Sequence, residues 1–470
     1  MDEPHGDFHV EGVTNLDGDQ LDAVQAAAGD PARLETLYQS ARATGAAQGF
    51  AAAIESAYAE EPANMLYSAW HYRLLSAPAA ETPAAATSDG PASERAVWQW
   101  RVAIPMSILL GFIFWILSAP GLTLTGGEIP AFVLIAPPLA AAFLIGFLAV
   151  GARAHYVRAA LLIAALVALT VYVEIIGSLN IAGSADLADT YQYLAIIHLP
   201  VVAWGLVGLS LLGLSFSASS VFAFLTKSIE AIGTGGVFAI AGGMFFIVTV
   251  ILFETLNVTL GDPVQRLLLA GGAGLIPLIA VSAVYDASQA PERQEFRRGF
   301  GKILAVLMQA LLALSLIVML IYILVIPFSF SQPFSPFSDR ETLIAYNVVL
   351  IGVMGVLLGA TPFASGDLAP GMQRLVRAGI ILLAVMVAGV SVYALAAVLY
   401  RTAQDTLTMN RLTIIGWNVI NIAILILLLV RQALSGRANW IASLHDTFRW
   451  AAIAYLGWAL FVLIASPLIF

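Results

Sequence analysis

The chain has 470 residues, 60% of them hydrophobic and 11% charged, with a mean hydropathy of +0.88. A soluble domain carries about a quarter charged residues, so this composition excludes an ordinary soluble protein and predicts a membrane protein. The formal net charge of −9 comes from the N-terminal end, where residues 1–94 hold fifteen Asp and Glu against Arg33, Arg42 and Arg73; nothing in that balance invites nucleic acid. There is no cysteine, which removes disulfides, thiolate zinc sites and iron–sulfur clusters together.

Residues 1–16 are polar and lack periodicity, and read as a disordered tail. His5 and His9 stand four apart there, a spacing that an acidic unstructured tail gives no reason to read as a metal site. From 17 to 76 the pattern turns helical. Leu21, Val24, Leu34, Leu37, Tyr38, Phe50, Ile54, Tyr58, Met65, Leu66, Ala69, Trp70 and Leu74 recur at three- and four-residue steps. Asp30-Pro31 has the form of an N-cap followed by Pro at the first helical position, and Glu61-Pro62 repeats it. These signals predict a small acidic helical domain with helices near 19–28, 31–43, 46–60 and 62–76. Residues 77–95, rich in Pro, Ala, Ser and Thr, predict a flexible linker.

The first apolar run begins near Val102, too late for a cleavable signal peptide. A spanning helix needs about 20 mostly apolar residues. Eleven segments qualify: 102–118, 130–150, 159–177, 193–215, 233–256, 264–285, 303–327, 342–362, 375–399, 411–431 and 450–467. The fold class is therefore all-α, a polytopic membrane protein with a small N-terminal helical domain and a transmembrane domain over 96–470. Only Asn257 to Pro263 divides the fifth span from the sixth.

Alternating the eleven spans sorts the basic residues. Arg95, Arg101, Arg153, Arg158, Lys227, Arg293, Arg297, Arg298, Lys302, Arg374, Arg377, Arg431, Arg437 and Arg449 fall on the side of the N-terminus, and Arg266, Arg340, Arg401 and Arg411 on the other. Basic residues favour the cytoplasmic side. The expectation is a bacterial inner-membrane protein with a cytoplasmic N-terminus and an external C-terminus.

Glycines at 233, 235, 236, 242 and 243 in the fifth span, at 271, 272 and 274 in the sixth, and at 355 and 359 in the eighth predict close helix packing. The segment Phe328 to Phe337, rich in aromatics and Pro, reads as an interfacial anchor on the outer side.

Ionisable residues in spanning segments are functional hypotheses by default. Glu174, His198 and Glu254 all fall toward the outer side, with Arg401, Asp405, Thr408, Asn410 and Arg411 between the ninth and tenth spans. Glu174 and Glu254 stand at helix C-termini and Arg411 at an N-terminus. Each charge opposes its own helix dipole by roughly 0.3–1 kcal/mol. That mismatch predicts an outer polar cluster in which Arg411 pairs with Glu254 or Glu174, either as a structural tie or as a proton or cation site in an outward-facing vestibule. Thr408 is placed to cap the tenth span.

The stretch Arg401-Thr-Ala-Gln-Asp-Thr-Leu-Thr-Met-Asn-Arg411 resembles a motif of the bacterial membrane family known as domain of unknown function 4153. The pattern of that family reads Arg-x-x-x-Tyr-Gly-Leu-Thr-Glu-Asn-Arg. Arg401, Leu407, Thr408, Asn410 and Arg411 match it, whereas Asp405, Thr406 and Met409 replace its Tyr, Gly and Glu. The resemblance covers about 300–430 and implies a multi-pass bacterial inner-membrane protein without implying an activity.

No P-loop, His-Glu-x-x-His, Gly-x-Ser-x-Gly or dinucleotide fingerprint occurs, so nothing argues for an enzyme, a cofactor or a metal site. Two functions fit. One is a transporter- or permease-like protein with an outward polar vestibule. The other is a non-transporting scaffold or sensor whose acidic head, residues 17–76, recruits a soluble protein partner. The lipid bilayer is the partner common to both, and a homo-oligomer is compatible with either.

Overall fold

The computed structural model describes residues 16–43, 47–76, 91–123, 130–178, 185–213, 216–296, 299–328 and 340–470. Among them every extended element is a helix; only an isolated bridge joins Thr123 to Pro130. The expected tail except Leu16, which is helical, most of the linker and most of the aromatic segment Phe328 to Phe337 lie outside these residues, as do His5 and His9. The chain divides into two compact units, Met1–Arg95 and Ala96–Phe470.

The first unit holds α1 (Leu16–Gln25), α2 (Pro31–Ala43), α3 (Ala47–Glu60) and α4 (Met65–Ser76). Asp30 caps α2 as expected, its Oδ1 accepting from the backbone N–H of Ala32 and Arg33 at 3.0 and 3.1 Å. Helix α4 starts later than the Glu61-Pro62 signal suggested. Asn64 is its cap, accepting from Leu66 N–H at 3.0 Å, because an Asn oxygen reaches the free N–H groups of a first turn far better than Glu does. The buried face also differs from the expected one. Tyr67 and Trp70 are buried while Met65 and Ala69 are exposed. Tyr38, Phe50 and Trp70 meet with ring centroids 5.3–5.7 Å apart, and Arg73 lies over Trp70 while pairing with Glu35. Four short helices thus close a core of their own.

The second unit begins within α5 (Pro91–Leu117). Residues 91–95, expected in the linker, are helical, with Pro91 in the first turn where its missing N–H costs nothing. There follow α6 (Ala131–Ala152), α7 (Tyr156–Ser178), α8 (Ala185–Leu212), α9 (Ala218–Glu254), α10 (Asp262–Arg266), α11 (Gly272–Val284), α12 (Gly299–Val325), α13 (Arg340–Ala360), α14 (Pro370–Gln404), α15 (Met409–Leu434), α16 (Trp440–Ile464) and α17 (Ser466–Ile469). A π-helical turn, Leu267–Gly271, joins α10 to α11 into one rod. Among the described residues ten helices are long and apolar enough to cross a membrane. The expected eighth span is α13, of which Val348–Ala360 is a shorter apolar stretch.

Side-chain ties sort the loops into two ends of the bundle. At one end, Trp115 donates to Pro263 O, Tyr172 to Ile464 O and Tyr191 to Leu463 O, and Met409 packs with Leu194 and Leu463. At the other, Gln99 donates to Ser282 O and Tyr285 O, Lys227 to Glu295 O, and Arg377 to Gln432 O and Ser435 O. There too Asp446 binds both Arg431 and Arg449. Helix α13 ends beside the start of α12, where Gly359 abuts Met308, so it runs antiparallel to α12 and keeps the alternation. Gln99 and Leu463 consequently lie at opposite ends. Helix α16 is the joint of the bundle, packing on α8, α9 and α15.

Only some of the glycines pack as expected. A Cβ on Gly274 would stand 2.7 Å from Gly111 Cα, so α5 and α11 touch backbone to backbone. Gly359 and Gly233 also face neighbours, but Gly236, Gly242, Gly243, Gly272 and Gly355 face open space. The second half of α9 is largely exposed; α9 packs on α11, and the rest of the apolar surface of this half is uncovered. Gly274→Ala should therefore lower the Tm of the detergent-solubilised protein, by overpacking of about 1–3 kcal/mol. Gly243→Ala should raise it, since Ala favours a helix over Gly by roughly 0.5–1 kcal/mol. Thermal unfolding of the two variants checks both signs.

Candidate functional site

The hairpin between α14 and α15 carries five of the eight residues singled out in the sequence. Thr408 caps α15 as expected, with an extended backbone and its Oγ1 accepting from Arg411 N–H at 3.3 Å. Arg411 does not reach Glu254 or Glu174. It pairs with Asp405 at 2.9 Å and donates to Thr406 O at 2.6 Å. The reason is proximity: Asp405 leaves the end of α14 six positions earlier and the loop folds it back over the start of α15. A carboxylate there also answers the positive end of that helix dipole. Arg401 and Asn410 are half-buried, and the Nη1 of Arg401 is buried without a hydrogen-bond partner.

Glu254 is exposed at the end of α9 and makes no ion pair among the described residues. Glu174 is half-buried on α7. The outer cluster therefore separates into the closed α14–α15 hairpin and carboxylates elsewhere.

His198 is different. It is 1% exposed, and both ring nitrogens are engaged. Trp417 Nε1, which can only donate, donates to His198 Nε2 at 2.9 Å, so the ring proton sits on Nδ1 and goes to Leu194 O at 2.7 Å. The Trp417 ring lies 5.3 Å from that of Tyr455, whose hydroxyl donates to Asn421 Oδ1 at 2.5 Å. Asn418, 1% exposed, sits one turn before. A neutral imidazole is thus wired into polar groups of α15 and α16 inside the bundle. Sequence reasoning found His198 and missed Trp417, Asn421 and Tyr455. Asn418 and Asn421, three apart in an apolar run, were the legible signal.

A second assembly lies at the basic end. Lys227 and Glu230, on successive turns of α9, pair at 2.7 Å with side chains 5% and 9% exposed. Lys227 Nζ also donates to Glu295 O at 2.5 Å and lies 5.1 Å from the ring centre of Phe296. Gly301 lets α12 close over the pair, since a Cβ there would stand 3.0 Å from Glu230 Oε1. Beside it opens a cavity of about 360 Å³, lined among others by Glu230, Phe296, Lys302, Gln309, Thr361 and Phe363. Phe363 stacks on Phe296 at 4.2 Å, and Phe222 stacks on His445 at 3.8 Å, with His445 Nε2–H donating to Pro362 O. Lys227 had been read only as a topological marker. Opposite charges at i, i+3 inside an apolar run were the overlooked sign of a buried pair.

Among the described residues no group of three or more His, Asp or Glu side chains is placed to hold a metal ion. No protein-family model matches the chain, and neither a curated protein nor a solved structure matches it.

Breaking a buried ion pair by removing one partner costs about 3–5 kcal/mol. Lys227→Met and Glu230→Met should each lower the Tm strongly, and the Lys227→Met/Glu230→Met double variant should lose less than the sum of the single changes. Arg411→Ala should cost only about 0–1 kcal/mol, because its partner Asp405 is 63% exposed. Thermal unfolding in detergent puts these variants on one scale, with a double-mutant cycle for the Lys227–Glu230 pair.

Proposed function

We propose that the second unit is a transporter- or permease-like domain of a bacterial inner membrane, oriented with the basic end of the bundle in the cytoplasm. The observation that carries this reading is the cavity of about 360 Å³ beside the buried Lys227–Glu230 pair. Solute pockets span about 300–1,000 Å³ and combine an apolar wall with a few convergent polar groups, and this one joins Phe296 and Phe363 to Glu230, Lys302, Gln309 and Thr361. Charged groups within spanning helices are costly and are kept where a solute or ion must be met. The His198–Trp417 and Asn421–Tyr455 groups supply a polar element deeper in the same bundle, and form the second station of the proposed path. The site thus moves from the outer vestibule to the basic end. The resemblance of residues 401–411 to the bacterial membrane family supports the location.

A scaffold or sensor is the second reading. It is favoured by the head, which closes its own aromatic core and keeps Asp22, Asp30, Glu55, Glu60 and Glu61 exposed for a basic protein partner.

The chain lacks cysteine, so single cysteines report access directly. In membrane vesicles of both orientations, Gln309→Cys should react with an impermeant maleimide from the basic end only. Asn421→Cys, buried in this state, should react slowly from the opposite end as a transporter visits its other conformation. An Asn421→Cys protein unreactive from either side would end the transport reading and leave the scaffold.

A further inference from the structure

Where α6, α7 and α8 meet the segment after α11, a second cavity of about 300 Å³ opens at the basic end, lined by Ala154, His155, Arg158, Ser210, Ser288 and Gln289 among others. Arg158, in the first turn of α7, makes no hydrogen bond or ion pair among the described residues, and its Nε is buried without a partner. Its guanidinium crosses Gly213, where a Cβ would stand 2.4 Å from Nη1, and Gly213 has φ +63°. Glycine suits that backbone conformation, and a side chain there would push the guanidinium aside.

The nearby carboxylates are turned to other work. Asp286 accepts from Ser288 N–H, Ser288 Oγ–H and Gln289 Nε2–H at 2.7–2.9 Å. Glu292 accepts from Ser217 and Ser220 at the start of α9. Arg158 is therefore a half-buried cation beside a cavity, with Asp286 and Glu292 near but neither paired with it among the described residues, and such a group is stabilised by an incoming anion. The loop that shapes the cavity holds Arg153 and His155 at φ 52° and 61°, a conformation that non-glycine residues adopt at some cost. Arg153 is fixed over the Trp98 ring at 4.4 Å.

We propose that this cavity binds a phosphate group, with the planar fork of Arg158 as its principal contact and His155 beside it. A guanidinium matches phosphate geometry with two parallel N–H donors. Two sources carry that group, a phospholipid headgroup and free phosphate. Tyr156, Val157 and Leu161 of α7 are exposed apolar side chains close by in sequence, a surface suited to acyl chains, and basic pockets between spanning helices on the cytoplasmic side hold anionic headgroups. The inference rests on the membrane reading and is independent of transport.

The test uses the full-length protein in neutral detergent and phosphate-free buffer, titrated with inorganic phosphate alone or with phosphatidylglycerol in neutral-lipid bicelles, Tm being the readout. The wild type should gain Tm with at least one probe. Arg158→Gln should weaken the apparent affinity at least tenfold, while Arg437→Gln, exposed at the same end, should titrate as the wild type. A response to phosphatidylglycerol alone assigns a lipid headgroup, and a response to inorganic phosphate as well assigns the free ion; both support the site. Should Arg158→Gln fail to fold, Ala154→Phe, which fills the cavity and leaves the guanidinium in place, must abolish the response. No response in the wild type, or an unchanged titration in Arg158→Gln or in Ala154→Phe, overturns the proposal, and Arg158 then only offsets the negative C-terminal end of α8.

Discussion

Hydrogen-bonding groups inside hydrocarbon must be satisfied by the chain itself, and this constraint orders the second unit. The backbone meets it by being helical throughout its spanning segments. Several buried hydroxyls meet it within their own helix: Ser107, Ser391, Thr413 and Thr447 each donate to the carbonyl four residues back. Groups that cannot be satisfied this way must recruit another helix. His198 takes Trp417 and Tyr455 takes Asn421, while Lys227 pairs with Glu230 on its own helix and reaches out of it to the carbonyl of Glu295. These cross-connections, few beside the local ones, mark where the bundle has been built for more than insertion.

The two ends of the bundle do different things. The basic end is stitched by charge: Asp446 holds Arg431 and Arg449, Arg377 gathers the last turn of α15, and Lys227 anchors the segment before α12. Both cavities lie at that end. The opposite end is closed by tyrosine and tryptophan hydrogen bonds and by local pairs such as Arg411–Asp405 and Arg266–Asp262. Helix α16 lies between the two halves of the core, so movement of one half against the other would pass through its contacts with α8, α9 and α15.

The fold was largely legible because apolar length alone locates spanning helices. The α2 start at Asp30-Pro31 and the Thr408 cap were legible for the same kind of reason, since each is a local rule. The site was less so. Arg411 was expected to answer a distant carboxylate because dipole arguments say which charges need partners but not how loops fold, and Asp405 was within easier reach. Gly236, Gly242 and Gly243 read as packing residues although nothing packs there, since glycine content carries no information about which face a neighbour occupies. Lys227 and Arg158 entered only as topological markers. Whether a basic residue near a helix end is solvated or buried depends on what folds over it, here Glu230 and Gly301 in one case and Gly213 in the other.

The proposed orientation depends on the odd, antiparallel passage of the chain, which puts Gln99 and Leu463 at opposite ends and gathers most of the basic residues of the second unit and both cavities at the Gln99 end. Reporter fusions in a bacterial host test it most directly, with a periplasm-active enzyme and a cytoplasm-fluorescent protein each joined after Phe470 and, separately, at the N-terminus. The account predicts enzyme activity only from the C-terminal fusion and fluorescence only from the N-terminal one. Both termini reporting the same side would contradict it.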